Sequence, residues 1–426
     1  MIRRIVLGCM LVVAIAAIAF AVLAWHPSIY PIAPPAASSI DPGLIRRGAH
    51  LAALGYCDSC HTADGDRAYA GGRPLETPFG VVYGTNITPD PDTGIGRWSG
   101  TAFNRAMRDG IDRAGRNLYP AFPYDHFRRL SDNDLAALYA FVMTRDPVHS
   151  QAPATHLAFP YNLRPLVAVW NLAFVGHEER VTASGQDAAL VRGRYLSEGL
   201  SHCGGCHTPR NRFGAEETGR HFDGGEAEGW WAPPLNANSP APVPWTEESL
   251  FDYLRSWDAQ HGGAVGPMAR VGEELRRAPE ADVRAIAHYV ASQMPPPAPD
   301  RSSPIEALVG RHQIDTAQKP DLAAGAAIYG SACARCHDDS GVPFTVRSLA
   351  QHTTLWGPDP RNVIRVIVDG IRPAEGQAGG IMPPFGAVLG TTQITQLVVY
   401  LRARFTDQPA WTSLEQTVRL VTRQNS

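Results

Sequence analysis

The stretch Cys57-Asp58-Ser59-Cys60-His61 returns as Cys203-Gly204-Gly205-Cys206-His207 and again as Cys333-Ala334-Arg335-Cys336-His337. Each copy has the spacing of a c-type haem attachment site. Two thiols at this separation add to the two vinyl groups of one porphyrin, and the histidine beside them reaches the iron as its proximal ligand. Paired cysteines also occur in zinc ribbons, but zinc takes four protein ligands per site, and the three motifs already use six of the seven cysteines. At this chain's Cys and His frequencies one accidental copy is expected in roughly one sequence in a few hundred, so three copies exclude coincidence. The expectation is three covalent haem c groups, on Cys57 and Cys60, Cys203 and Cys206, and Cys333 and Cys336, with His61, His207 and His337 on the irons.

Outward from the motifs, 426 residues allow two to four domains, and 44% hydrophobic content supports buried cores. A formal net charge of -3 gives no sign of nucleic-acid binding. Only Cys9 is left outside the motifs, so no disulfide framework is expected. Cys9 lies in an uncharged apolar run from Ile5 to Trp25, preceded by Arg3 and Arg4. That run matches the roughly 20 residues needed to cross a bilayer core. The arginines favour a cytoplasmic N-terminus, which puts everything after Trp25 on the periplasmic side of a bacterial inner membrane. Residues 1–26 read as an uncleaved anchor or as a cleaved signal peptide. The length favours the first, and a cleavage pattern at Val22 and Ala24 the second.

After a Pro-rich spacer from Pro27 to Pro42, the chain repeats loosely. A glycine-bearing helical pattern precedes each motif: Arg47-Gly48-Ala49-His50-Leu51, Arg192-Gly193-Arg194-Tyr195-Leu196 and Ala324-Gly325-Ala326-Ala327-Ile328-Tyr329. A small residue there lets a second helix cross closely. That second helix closes each unit as Leu135/Leu138/Phe141/Val142, Val283/Ile286/Tyr289/Val290 and Ile394/Leu397/Tyr400/Leu401, one apolar stripe three times over. Ser131, Pro279 and Thr391 stand where caps or first-turn residues belong. Terminal helices crossing beside a haem motif describe a class I cytochrome c domain. Little strand signal is visible. The fold class read from this is all-α: three tandem class I cytochrome c domains at 41–176, 178–294 and 320–406 behind the N-terminal helix, with a Pro-rich linker at 295–319 and a tail at 407–426.

A sixth, axial methionine raises a haem's potential, and such domains supply it from a loop before the final helix. Met268 in Gly266-Pro267-Met268 and Met382 in Ile381-Met382-Pro383-Pro384 fit. Met268 lies 11 residues after Trp257 and Met382 11 after Ile371, a shared register that outweighs the usual use of Met as core filler. The same count from Ile111 lands on Phe122, which is 61 residues after His61, just as Met268 is 61 after His207. The expected methionine is missing from the first copy. His126 is the nearest residue able to bind iron, and neutral imidazole binds it well; Met107, Met143 or an open position are the alternatives. A bis-histidine first haem has a lower potential than the other two, whereas an open one admits small ligands.

These residues resemble the three-haem cytochrome c subunits of membrane-bound dehydrogenases, including those of alcohol and gluconate dehydrogenases. The resemblance covers most of the chain after the N-terminal helix. It is strongest at Thr77-Pro78-Phe79-Gly80, Asn86-Ile87-Thr88-Pro89-Asp90, Gly94-Ile95-Gly96-Arg97-Trp98, Leu118-Tyr119-Pro120-Ala121 and Phe159-Pro160-Tyr161-Asn162-Leu163-Arg164-Pro165-Leu166. It implies a subunit that takes electrons from a catalytic partner and passes them to ubiquinone or a terminal oxidase. Phe122 stands where the alcohol dehydrogenase subunits carry Met. The variant Pro120-Ala121-Phe122-Pro123-Tyr124-Asp125-His126 is similar to the branch that accompanies molybdenum hydroxylases such as aldehyde, nicotinate or isoquinoline dehydrogenases. That implies a molybdopterin partner with an iron-sulfur subunit rather than a quinoprotein alcohol or flavin gluconate dehydrogenase.

Two apolar segments remain. Leu157 to Phe174 is too broken by Arg164 and prolines to span a membrane; it reads as packing, or as a surface for a partner or quinone. Trp411, Leu414, Val418 and Val421 form a helical stripe that lies on a membrane or packs on its own body. With no nucleophile pair or second cofactor motif, electron transfer is the leading function, with catalysis in the partner. An open first iron would instead suit a small-ligand reductase or sensor, and carbon monoxide binding separates the two.

Overall fold

A computed structural model describes residues 1–63, 65–176, 187–255, 257–258, 260–294, 317–338, 348–372 and 380–424. It divides into two compact units, Met1–Gln186 with Tyr195–His202, and Asp187–Arg194 with Cys203–Ser426. The region expected as the first domain lies in the first unit. Those expected as the second and third share the second unit, except that Tyr195–His202 belongs with the first. Glu178, the expected start of the second domain, and most of the Pro-rich linker lie outside the described residues.

In the first unit the helix Pro42–Leu54 begins at Asp41, whose carboxylate accepts from the Gly43 and Leu44 amides, with Pro42 suited to the first turn. It crosses the helix Asp132–Val142, capped by the Ser131 hydroxyl. Gly48 sets the crossing: a Cβ there would lie 2.0 Å from the Ala137 carbonyl oxygen. The whole predicted stripe of the second helix is buried against this contact, from Leu135 to Val142. Arg47 pairs with buried Asp134 at 2.7 Å, and the Tyr195 hydroxyl donates to the other oxygen of that carboxylate at 2.6 Å.

The second unit repeats this crossing twice. Between Ala188–Tyr195 and Glu280–Gln293, a Cβ on Gly193 would lie 2.0 Å from the Ala285 carbonyl oxygen, and Arg192 pairs with Asp282 at 2.7 Å. His288 on the same helix bridges Glu247 and Asp187. Between Ala323–Ala332 and Thr391–Phe405, a Cβ on Gly325 would lie 2.3 Å from the Gln396 oxygen. Here Ala324 and Gln393 occupy the places of the ion pair, leaving apolar packing of Ile394, Leu397, Tyr400 and Leu401 to hold the crossing. Thr391 is a first-turn residue, and the Gln393 side chain accepts from the Gly390 amide.

The all-α expectation holds for this scaffold and is corrected elsewhere by short antiparallel sheets. Strands β1 (Pro74–Thr77), β2 (Gly80–Tyr83) and β3 (His156–Leu157) form one; β4 (Gly225–Ala227) and β5 (Trp230–Ala232) a second; β6 (Trp257–Asp258) and β7 (Gly262–Gly263) a third. None exceeds four residues, too short for an alternating pattern to stand out. The β4–β5 connection is a two-residue turn, Glu228 and Gly229 at φ 50° and 75°, the hand that suits strand twist.

The helix Ile2–Ala24 has 23 residues, an 18-residue stretch of which has a mean hydropathy of 3.0, with none of it buried, and is the one among the described residues long and apolar enough to cross a membrane. The helix Val167–Phe174 packs beside it, burying Val167 and Ala168 but leaving Phe159, Leu163, Leu166, Val169 and Leu172 exposed. The C-terminal stripe packs on its own body: Trp411, Leu414, Val418 and Val421 join the buried core of the third helix pair.

Candidate functional site

Each motif folds as a single helical turn: Cys57–His61, Gly204–His207 and Ala334–His337. One turn brings both cysteines and the histidine to the same end of a short element, as attachment to one porphyrin requires. None of the seven cysteines is in a disulfide. Desolvation, with Cys336 as the second cause, pushes the Cys333 thiol up to about 11, which keeps it protonated near neutral pH.

The His61 Nδ1 lies 2.7 Å from the Thr85 carbonyl oxygen, and the His207 Nδ1 lies 2.6 Å from that of Pro233. A carbonyl only accepts, so Nδ1 carries the hydrogen in each ring and Nε2 keeps its lone pair for a metal. Burial lowers the pKa of both imidazoles, against the opposing effect of these carbonyls, and favours the neutral form that binds iron. The following strands are laid against the motifs. The Gly71 amide donates to the His61 carbonyl and the Gly224 amide to that of His207; a Cβ on Gly84 would lie 1.9 Å from the Cys60 oxygen, and one on Gly225 2.4 Å from that of Cys206. These cradles fit a histidine-ligated haem. In the third motif burial also lowers His337, and the adjacent Asp338 is held by Arg404 at 2.9 Å and by the Tyr329 hydroxyl at 2.7 Å. The stretch 339–347 that follows lies outside the described residues.

Met268 sits in the first turn of the helix Pro267–Leu275, after Gly266 at φ 59°, against which the Trp230 ring is packed. Met382 pairs with Ile371 through two backbone hydrogen bonds of 2.8 and 2.9 Å, and borders the same core as Cys333. The common 11-residue register therefore covers two geometries. Ile111 pairs with Asn117 and Trp257 with Gly263, the same short loop in the first two copies, whereas Ile371 pairs with Met382 itself. Phe122 is thus the counterpart of Met268 in chain geometry as well as in count. Its ring meets Phe127 edge-on. Met107 and Met143 are both buried in the core of the first unit.

His126, in the short helix Tyr124–Phe127, is 5% exposed, and its Nδ1 lies 2.8 Å from the Glu198 carbonyl oxygen. This is the arrangement of His61 and His207, and it puts the ring hydrogen on Nδ1 in the same way. Sequence reasoning missed Thr85, Pro233 and Glu198 because they act through main-chain oxygens. Gly84 and Gly225, each forced by close approach to a motif cysteine, were the readable trace of the first two.

A family model for cytochrome c matches residues 45–146, and one described as cytochrome c oxidase, cbb3-type, subunit III matches residues 320–401. The chain is 44% identical to a subunit of the nicotinate dehydrogenase of Pseudomonas putida over 92% of its own length, but spans only 33% of that relative. It is 35% identical to the gluconate 2-dehydrogenase cytochrome c subunit of Pantoea cypripedii, covering 84% of this chain and 85% of the relative. To the fructose dehydrogenase cytochrome subunit of Gluconobacter japonicus it is 34% identical, over 90% and 84% respectively. The chain belongs to the family of dehydrogenase cytochrome c subunits. As such a subunit it carries covalent haem c and transfers electrons; it is not the catalytic subunit.

Proposed function

We propose that this cytochrome c subunit carries three haem c groups and passes electrons from a molybdopterin-dependent dehydrogenase, through that enzyme's iron-sulfur subunit, to ubiquinone or a terminal oxidase. The haems are held by Cys57, Cys60 and His61, by Cys203, Cys206 and His207, and by Cys333, Cys336 and His337. Met268 and Met382 complete the second and third irons and His126 the first. Haem supplies one-electron exchange at iron; the chain's residues bind it, fix the imidazole tautomer and set the sixth ligand. The observation that carries the ligand set is the shared Nδ1-to-carbonyl bond of His61, His207 and His126, which gives three imidazoles the same tautomer, with the lone pair on Nε2. A filled first site leaves little room for the small-ligand reductase or sensor.

The likeness to the nicotinate dehydrogenase of Pseudomonas putida supports the molybdenum-hydroxylase branch. The apolar helix Ile2–Ala24 and the exposed apolar residues beside it support attachment to the periplasmic face of the inner membrane. Intact mass and haem quantification test the count, expected at three per chain. Purification through this subunit from native membranes tests the partner: molybdenum and acid-labile sulfide should co-purify, and a pyrroloquinoline quinone or flavin enzyme in their place overturns the branch. Absence of rapid carbon monoxide binding to the reduced protein is the result expected for a ligated first iron.

A further inference from the structure

Within the second unit the β4–β5 hairpin touches both later motif regions. At its inner end Gly225 lies on the Cys206 carbonyl, and Pro233, the residue after β5, bonds the His207 ring. Midway, Trp231 exchanges two hydrogen bonds with the buried Asn362 side chain: its amide donates at 2.9 Å, and its carbonyl accepts at 2.8 Å. The Trp231 ring lies flush on the main chain, where a Cβ on Gly357 would be 2.4 Å away. At the turn, Arg365 donates to the Gly229 carbonyl at 2.9 Å and stands over the Trp230 ring, whose other contact is Gly266, two residues before Met268. Asn362 and Arg365 belong to the helix Arg361–Asp369, which runs into Gly370 and Ile371, the partner of Met382. One continuous set of covalent and hydrogen bonds thus joins the second motif's histidine to the third copy's methionine loop.

We propose that the Trp230–Trp231 hairpin is the positioning element that locks the third copy to the second and forms the path for electrons between their haems. This rests on the three-haem reading above. With haem held by Cys203, Cys206 and His207 and by Cys333, Cys336 and His337, each transfer would move one electron from the reduced iron of one copy to the oxidised iron of the other. Electron tunnelling falls off more slowly through bonded atoms than across gaps, so Asn362, which closes the path through two hydrogen bonds, is its key residue.

The test compares Asn362→Leu with Glu226→Gln, which removes only the rim ion pair between Glu226 and Arg361. The readout that does not depend on electron transfer is unfolding of the full chain. In urea, followed by hydrogen exchange segment by segment, 203–294 and 320–405 should unfold together in wild type and separately in Asn362→Leu. In the three-haem protein, after flash photoreduction, the concentration-independent relaxation that disappears with the third attachment (Cys333→Ser with Cys336→Ser) should slow by about tenfold in Asn362→Leu at unchanged potentials, and stay within about twofold in Glu226→Gln. Should Asn362→Leu not fold, Asn362→Asp, which keeps the acceptor and loses the donor, should slow the same phase partially. Unaltered unfolding and rate in the Asn362 variants, or equal slowing in Glu226→Gln, overturn the proposal while leaving the three-haem reading intact. A wild-type haem count other than three overturns both.

Discussion

The first and second motif regions are built alike in their scaffold and differ most on the loop after the short bridge. Both have a glycine pressed on a facing carbonyl, Gly48 on Ala137 and Gly193 on Ala285. Both carry an arginine just before that glycine paired to an aspartate, and both fix the motif histidine through Nδ1 on a backbone oxygen. Both even share the short bridged loop, Ile111 with Asn117 and Trp257 with Gly263. Only then do they part, with Phe122 where the second has Met268, and a buried imidazole four residues further on. A repeated scaffold is over-determined by packing, whereas the proposed sixth ligands lie on loops outside the helix crossings.

The comparison can be broken at its point of difference first. Met268→His should lower one haem potential by on the order of 200 mV, towards that of the first haem, while Phe122→Met with His126 intact should move none. A redox titration in which Phe122→Met raises the lowest potential would mean that the first iron had no histidine. Next come the shared crossings. Gly48→Val and Gly193→Val should each cost about 3 kcal/mol or more in urea unfolding, since the added atoms overlap main chain that cannot retreat. A loss confined to one of them would show that the two scaffolds are not equivalent.

The aspartates sharpen the likeness further. The Asp134 side chain is 3% exposed and serves both Arg47 and Tyr195, so Asp134→Ala should cost about 3 kcal/mol. Asp282 is 20% exposed, and its removal should cost about 1 kcal/mol by thermal or chemical unfolding. The smallest effect is a pH dependence confined to the second copy. The hydrogen bond to Glu247 raises the His288 pKa against desolvation by burial, and the charges of Glu247 and Asp187 raise it further. That stabilisation is complete below the ordinary histidine pKa and is lost as pH rises through the raised value, so wild type should lose a little stability above about pH 6.5 and His288→Gln should not. Ala140 takes the place of His288 in the first copy. Unfolding followed at several pH values, with equal slopes in wild type and His288→Gln, would remove the distinction.

Much of this was legible in the chain. The motifs named the cofactor; the glycines and stripes named the helix pairs, because close approach and burial restrict side chains at fixed spacing. The hairpins were not legible, since two to four residues give no periodicity, and neither was the association of Tyr195–His202 with the first unit. The methionine register, being only a count, hid a difference in geometry, since Met382 is itself strand-paired and Met268 opens a helix. The tail stripe left two readings, and only packing against Ile394 and its neighbours separated them.

The acceptors of Thr85, Pro233 and Glu198 carry one more implication. A main-chain oxygen cannot be deleted by exchanging a side chain, so the orientation of each imidazole is insulated from point substitution at its partner. Had a carboxylate held these rings, a single codon change could have released them, and the partner's charge would have entered every redox change at the metal. A neutral carbonyl instead keeps the tautomer as a property of the path of the chain.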